Sequence, residues 1–347
     1  MGKIMRTTIK DIAKEAGVSI ATVSRVLNRN AYVTDEIKKK VLKAAKDLDY
    51  IPNTAAKSLK TQKSGIIGFI ISDISSDALL VAARSAERIF SEQNYNLILC
   101  STENDPEREK KYLKMLMSKN VDGIVLNTTG KNVEEIVDIS KRIPMVLYNR
   151  NIEDEGFRGD LVDTNNYEVS YELTRQLLTL GHRRIMAICG PSYLSNSRER
   201  LNGFKTAMRE AGLEIEENSP YVYSGDFSRQ TGKDAIAYMM TLKERPTAIL
   251  SQNTTMSIGA LEQCNIMNIK VPGDISFISY DGIPNADLMR IIPTSATYDV
   301  ASMGEKIGHS MLERIQSPDL ANRKYIFNPE IVLGNSLSIA NPKRSVK

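Results

Sequence analysis

The residues from Thr8 to Asn28 have types and spacing suited to chemistry, and the chemistry they suit is the docking of a polyanion. Thr8 can cap a first helix, with Asp11 three residues on completing a capping box. Ile12, Ala13 and Ala16 then share one face. Gly17 ends that helix, because a sharp turn wants a residue that tolerates positive φ. Ser19 caps a second helix, and Val23, Val26 and Leu27 give it an apolar stripe. The other face carries Ser19, Ile20, Ala21, Thr22, Ser24 and Arg25, which are mainly short side chains plus one guanidinium. Short residues let a helix lie deep in a major groove, and a guanidinium can reach a base edge or a phosphate. The pattern predicts a helix-turn-helix with Ile20–Leu27 as the recognition helix. The bland alternative is an ordinary pair of helices packed in a core.

Elsewhere the chemistry of an enzyme is missing. No Gly-x4-Gly-Lys-Ser/Thr occurs, and Gly225…Gly232-Lys233-Asp234 has the wrong spacing and no hydroxyl after the lysine. There is no Gly-x-Ser-x-Gly, and Gly65-Ile66-Ile67-Gly68 is not a dinucleotide fingerprint. Of only 2 histidines, His182 and His309, neither has metal-ligand or triad spacing. The 3 cysteines (Cys100, Cys189 and Cys264) lie far apart without a Cys-x-x-Cys, as expected of reduced thiols in a cytosolic protein. No apolar run approaches the ~20 residues of a membrane span. The first residues lack the apolar stretch of a secretory signal, so the expected location is cytoplasmic.

The elements that must carry the first motif form a small basic module. Residues 1–63 hold 14 Lys/Arg against 6 Asp/Glu, whereas the remainder of the 347-residue chain is mildly acidic. That asymmetry suits a nucleic-acid partner, although a solvated basic face would look the same. Thr34 is expected to cap a third helix whose stripe is Ile37, Val41, Leu42, Ala45 and Leu48. The piece from Asn53 to Lys60 is too short to be a stable isolated helix, and its one large apolar residue, Leu59, lies between Lys57 and Lys60. An apolar wedge between cations suits a kinked minor groove, and a linker leucine packing on the body is the alternative.

From Gly65 onward short apolar runs alternate with amphipathic helices. Expected strands are 65–72, 96–100, 121–127 and 144–148, then 184–189, 221–224, 247–251 and 275–280. Expected helices fall between them, with a last one at 302–315 and C-terminal strands near 324–327 and 331–333. Continuous apolar strands joined by helices imply two parallel sheets, covered on both faces, in two α/β lobes. A cleft between the lobes would lie at the carboxyl ends of the strands.

Taken together, Thr8–Asn28, Val33-Thr34 and Tyr50-Ile51-Pro52-Asn53…Ala56…Ser58-Leu59 resemble the lactose-repressor (LacI/GalR) family of bacterial transcription regulators. The resemblance runs on through Asp105-Pro106-Glu107-Arg108-Glu109, Val121-Asp122-Gly123-Ile124, Leu180-Gly181-His182-Arg183-Arg184-Ile185, Pro272-Gly273-Asp274-Ile275-Ser276 and Tyr280-Asp281-Gly282-Ile283-Pro284. It implies an all-α helix-turn-helix domain at 1–52, a hinge helix at 53–61, and a periplasmic-binding-protein-like body for effector binding and dimerisation at 62–340. Lobe one is expected at about 62–163 and 295–323, lobe two at about 164–292 and 324–340, and a basic tail at 341–347. The function implied is a repressor of a carbohydrate-utilisation operon, not an enzyme, bound as a homodimer to a palindromic double-stranded operator. No leucine heptad marks the tail, so a dimer is expected and not a tetramer.

The resemblance also implies roles. Ile20, Ala21 and Arg25 match base-reading positions, and Thr22, Ser24 and Asn28 match positions that hold phosphates or the helix register. Thr8, Ser19 and Asn53 complete the DNA-facing set, and Ala56 and Leu59 match the minor-groove pair. In the cleft, Asp73, Asn149, Arg150, Asn196, Arg200, Phe227, Asn253, Asp281 and Tyr298 are the expected effector ligands. Arg200 and Asp281 can hold hydroxyls or an anionic group, or form a salt bridge between the lobes. Phe227 can stack on a ring or pack in the core. The chain departs from the family at Ala78, Thr254 and Tyr298, where an aromatic, a carboxylate and an amide are frequent. These departures suit a sugar derivative such as a sugar acid, a phosphorylated sugar or an amino sugar. They also suit a cleft that has lost its ligand, with a protein corepressor in control. No cofactor or metal is expected. A pure solute-binding protein is the reading from another class, and the basic module argues against it.

Overall fold

A computed structural model describes residues 7–28, 33–50, 63–216 and 218–340. Asn53, Ala56, Leu59 and the basic tail lie outside the described residues. The chain divides into two compact units, Met1–Ser64 and Gly65–Lys347.

In the first unit, α1 (Ile9–Ala16), α2 (Ile20–Asn28) and α3 (Asp35–Asp47) surround a core of Ile12, Ala13, Val23, Val26, Val41 and Ala44. Thr8 precedes α1, and the Asp11 carboxylate accepts from its N–H at 2.8 Å and its hydroxyl at 2.7 Å. Gly17 takes the left-handed conformation at φ 65°, so that Val18 N–H can reach back to Ala13 O at 3.0 Å. The expected stripe of α3 needs one correction. Leu42 is 48% exposed, and Ala44 is buried in its place, because a residue three on from buried Val41 shares its face of the helix.

The second unit holds two six-stranded sheets. The first has the order β11-β5-β4-β3-β1-β2, built from β1 (Ile66–Ile71), β2 (Asn96–Ser101), β3 (Gly123–Leu126), β4 (Met145–Tyr148), β5 (Asp160–Thr164) and β11 (Lys324–Phe327). All its pairings are parallel. The run Ile-Ile-Gly-Phe-Ile-Ile in β1 can be apolar throughout because helices cover both faces. Ile67, Phe69 and Ile71 meet α4 (Asp77–Glu92) and α11 (Val300–Gln316), and Ile70 meets α5 (Pro106–Ser118) and α6 (Val133–Ser140). Helices α4 and α11 pack very closely at Gly304, where a Cβ would lie 2.4 Å from Ala82 O.

The second sheet has the order β12-β10-β9-β8-β6-β7, from β6 (Ile185–Cys189), β7 (Val222–Ser224), β8 (Ala248–Ser251), β9 (Ser276–Asp281), β10 (Thr294–Thr297) and β12 (Glu330–Val332). Only β12 runs antiparallel. Residues Met186 and Ile188 face α9 (Arg229–Thr241) and α10 (Thr254–Ile266), whereas Ile185, Ala187 and Cys189 face α7 (Asn166–Thr179) and α8 (Ser195–Glu210). His182 pins the last described segment to this lobe. Its Nδ1 meets Thr247 Oγ1 at 2.9 Å, and its Nε2 meets Ser338 O at 3.0 Å.

The lobe boundaries differ from the sequence expectation at both late crossings. Residues 294–297 were expected at the edge of lobe one but pair with β9 in lobe two. Residues 324–327 were expected in lobe two but pair with β5 in lobe one. The chain therefore crosses between lobes after β5, after β10 and after β11. Each crossing is only a few residues long, so composition gives no mark of where one lobe ends.

The return segment is anchored by a buried ion network. Asp160, fully buried at the start of β5, accepts from Arg314 Nη2 at 2.5 Å, from Arg323 Nη2 at 2.7 Å and from the Ser310 hydroxyl. Burial alone would raise the Asp160 carboxyl, but these hydrogen bonds outweigh it and hold the group below its ordinary range.

Candidate nucleic-acid interface and effector cleft

The outer face of α2 carries the expected recognition residues. Ile20 is 49% exposed, Ala21 and Arg25 are also exposed, and Val23 and Val26 point inward. Ser19 Oγ accepts from Thr22 N–H at 3.1 Å and lies 2.9 Å from the Thr22 hydroxyl, so these two hydroxyls first order the start of the helix. Thr22 and Ser24 are half-buried beside them. The helix therefore presents Ile20, Ala21 and Arg25 as its free, outward reach, with a preformed N-terminus next to them.

The second unit has a cavity of about 540 Å³ between its lobes, at the carboxyl ends of the strands. All nine expected cleft residues line it: Asp73, Asn149, Arg150, Asn196, Arg200, Phe227, Asn253, Asp281 and Tyr298. Asp73 follows β1, and its Oδ1 accepts from Ser75 N–H at 2.8 Å. Asn149 and Arg150 follow β4, with Asn149 at φ 59°, a conformation that Asn tolerates. Asn196 lies in the first turn of α8, where its Oδ1 accepts from Ser197 N–H.

Arg200, on α8, is 2% exposed and heavily engaged. Its Nε donates to Asn166 Oδ1 at 2.8 Å and its Nη1 to Gln252 O. Its guanidinium lies 3.6 Å from the Tyr280 ring centre and 3.8 Å from Asp281 Oδ2. The salt bridge with Asp281 thus forms within lobe two and not between lobes. In the cleft a link comes from the crossing segment between β10 and α11, where the Tyr298 hydroxyl donates to Asp281 Oδ1 at 2.6 Å. Burial, then the neighbouring Asp281 charge, pushes the Tyr298 phenol well up, so it stays a donor.

Phe227 is 8% exposed, belongs to the lobe-two core and also lines the cleft. Its φ of 68° is costly for a bulky residue and is sustained by its surroundings. Asn253 caps α10 through Met256 N–H and donates to Phe227 O at 3.3 Å. The ring rests on Gly190, where a Cβ would lie 2.1 Å from it.

Arg150 is held by residues that sequence reasoning missed. Its Nη1 donates to Thr128 O at 2.7 Å and its Nη2 to Asn104 Oδ1 at 2.9 Å. Burial lowers its pKa to about 10, which leaves it a cation at neutral pH. The loop holding Thr128 is fixed by buried Glu109, which accepts from Thr129 N–H at 2.6 Å and Asn132 Nδ2 at 2.9 Å. The run Asp105–Glu109 was visible as a motif, but a carboxylate among helix charges gives no sign that it points inward. Outside the cavity lining, Arg198 bonds Glu153 at 2.6 Å and Lys131 sits 3.6 Å over the Tyr193 ring, joining the lobes.

Asp163 was also missed. It sits at the end of β5, 3% exposed, and accepts from Thr164 N–H at 2.7 Å and Asn166 Nδ2 at 3.1 Å. Burial raises its pKa to about 7 against a free value of 3.8. The folded state therefore holds this proton where the unfolded chain has lost it. That contribution is complete below the free value and is lost as pH rises through about 7. In chemical denaturation at a series of pH values, Asp163→Asn is expected to remove a slope of up to about 1.4 kcal/mol per pH unit. Parallel profiles for the two proteins would refute the raised pKa.

The family profile of bacterial regulatory proteins, lacI family, matches residues 8–53. The profile of periplasmic binding proteins and sugar binding domain of LacI family matches residues 64–328. This chain belongs to the LacI family. As a LacI-family member it is a DNA-binding transcriptional regulator and not an enzyme. It is 32% identical to the HTH-type transcriptional repressor PurR of Haemophilus influenzae over 335 residues, covering 95% of this chain and 98% of that one. Among solved structures, the Lac repressor dimer bound to operator and the anti-inducer ONPF superposes with a TM-score of 0.82 at 22% identity, covering 96% of this chain and 100% of that one. The transcriptional regulator CelR in complex with cellobiose gives 0.71 at 23%, covering 95% and 100%. No helix among the described residues is long and apolar enough to cross a membrane, and those residues contain no cluster of three or more His, Cys, Asp or Glu able to hold a metal.

Proposed function

We propose that this regulator is a cytoplasmic repressor of a carbohydrate-utilisation operon, binding a palindromic operator as a homodimer under the control of a small sugar-like effector. The outward face of α2 carries this reading: Ile20, Ala21 and Arg25 stand clear of a core that seats Val23 and Val26. Two-fold symmetry would set two such helices in successive major grooves. Arg25 is assigned a bidentate contact with guanine, and Ile20 and Ala21 apolar contacts with thymine methyls. Thr8, Ser19, Thr22, Ser24, Asn28 and Asn53 are assigned to phosphates and helix register, and Ala56 and Leu59 to the minor groove. Cellobiose in the CelR complex supports a sugar-like ligand for the cleft. To switch the operator almost fully, that ligand must prefer one state of the dimer by ~5.5 kcal/mol.

The test is operator selection from a random pool followed by titration. Arg25→Ala is expected to cost about 1–3 kcal/mol and to relax preference at one base pair per half-site. If the variant keeps its full discrimination among bases, Arg25 contacts phosphate only.

A further inference from the structure

The charge of the cleft wall points to the class of its effector. Four carboxylates line the cavity, from Asp73, Asp77, Asp281 and Asp299, against two guanidinium groups, from Arg150 and Arg200. Both guanidinium groups are already engaged by the protein. Asp281 offsets Arg200, and Arg150, which has no carboxylate in contact, commits Nη1 to Thr128 O and Nη2 to Asn104 Oδ1 while its Nε is buried. Helix N-termini attract anions. Four helices begin at this cavity: α4 carries Asp77 in its first turn, α11 is capped by Asp299, whose Oδ1 accepts from Ser302 N–H at 3.0 Å, and the amide oxygens of Asn196 and Asn253 accept from first-turn N–H groups of α8 and α10. Among the described residues, the Asp77 carboxylate has no hydrogen-bond or ion-pair partner, and the Asp73 carboxylate uses only Oδ1.

A second feature agrees and does not depend on the acids. Three rings, from Tyr148, Phe227 and Tyr298, line the same cavity. Ring faces attract cations and repel anions. Hydroxyl and amide groups fill out the polar wall, among them Ser72, Asn196 and Thr254, and suit a polyol.

We infer that the effector is a polyhydroxylated molecule bearing an amine, such as an amino sugar, and that phosphorylated or carboxylated sugars are excluded. This rests on the small-effector reading above. Of the three sugar derivatives that the sequence left open, it keeps one.

The experiment is calorimetric titration of the full chain at pH 7 with matched series built on glucose, galactose, mannose and ribose. Each series contains the parent sugar, its amino form, its phosphate and its sugar acid. The expected result is that within the binding series the amino form binds at least tenfold more tightly than the phosphate or the acid, and more tightly than the parent. Its affinity, unlike that of the parent, should fall as salt rises. Asp77→Asn is expected to narrow the amine-over-parent ratio at least threefold. Tighter binding of an anionic form, or of the parent over its amine, overturns the inference and leaves the small-effector reading standing. No binding by any form in any series overturns that reading and the inference with it.

Discussion

Arg200→Ala is expected to destabilise the two-lobed unit by about 3–5 kcal/mol, measured by chemical denaturation. Arg200 is buried and satisfies several acceptors together. Its removal strips Gln252 O of its guanidinium donor, leaves Asn166 Oδ1 with the Tyr280 hydroxyl at 3.3 Å, and leaves Asp281 relying on Tyr298. A half-buried carboxylate without its cation costs more than the lost hydrogen bonds alone. Arg200→Lys is expected to recover only part of the loss, because an ammonium cannot donate to Asn166 and Gln252 while stacked on Tyr280. A loss below about 1 kcal/mol for the alanine variant would mean that water replaces the guanidinium and that the cleft floor is not built on it.

Asp160→Ala is expected to cost a similar amount, about 3–5 kcal/mol, for the opposite reason: it leaves cations without an anion. Arg314 is buried, and Asp160 is the carboxylate it meets. Arg323 keeps Glu313 as a second partner, at 2.5 Å, so its own loss is smaller. The double variant Asp160→Leu with Arg314→Met is expected to recover most of the loss, since well-packed apolar groups often replace a buried pair without penalty. If the double variant is as unstable as Asp160→Ala alone, the cost lies in packing between β5 and α11 and not in charge.

The parts of this protein that could be read from sequence were those written in local patterns. The capping of α1, the left-handed Gly17 and the apolar runs of β1 and β6 are decided by neighbours in the chain. Two strands were missed for the converse reason. In β5 the sequence Asp-Leu-Val-Asp-Thr is flanked by carboxylates whose burial is made tolerable by Arg314 and Arg323, over a hundred residues away, and by Asn166. In β10 the sequence Thr-Ser-Ala-Thr lacks any large apolar side chain, and only its ladders with β9 and β12 make it a strand. The cleft residues were named by motif, but the partners that hold them were not. Gly190 makes room for a Phe227 ring from another strand's loop, and Glu109 fixes Arg150 only through the Thr128 carbonyl. Such second partners are set by tertiary packing, which leaves no periodic trace.

The three crossings between lobes bear on how the protein is made. Lobe one holds β1–β5, but its outer strand β11 and its covering helix α11 come after nearly the whole of lobe two. On the ribosome, the first sheet therefore emerges with the face of Phe69 and Ile71 only partly covered, by α4, until α11 follows, and Asp160 gains Arg314 with that helix and Arg323 after it. The nascent chain must carry an open apolar face from the end of β5 at Thr164 until α11 is complete at Gln316. Lobe two can close over most of its strands before that, although its last strand and pinned segment arrive later still. A nascent chain halted before α11 has emerged would thus present a chaperone with a half-covered sheet, whereas one halted after residue 327 has left the ribosome would present a finished lobe one.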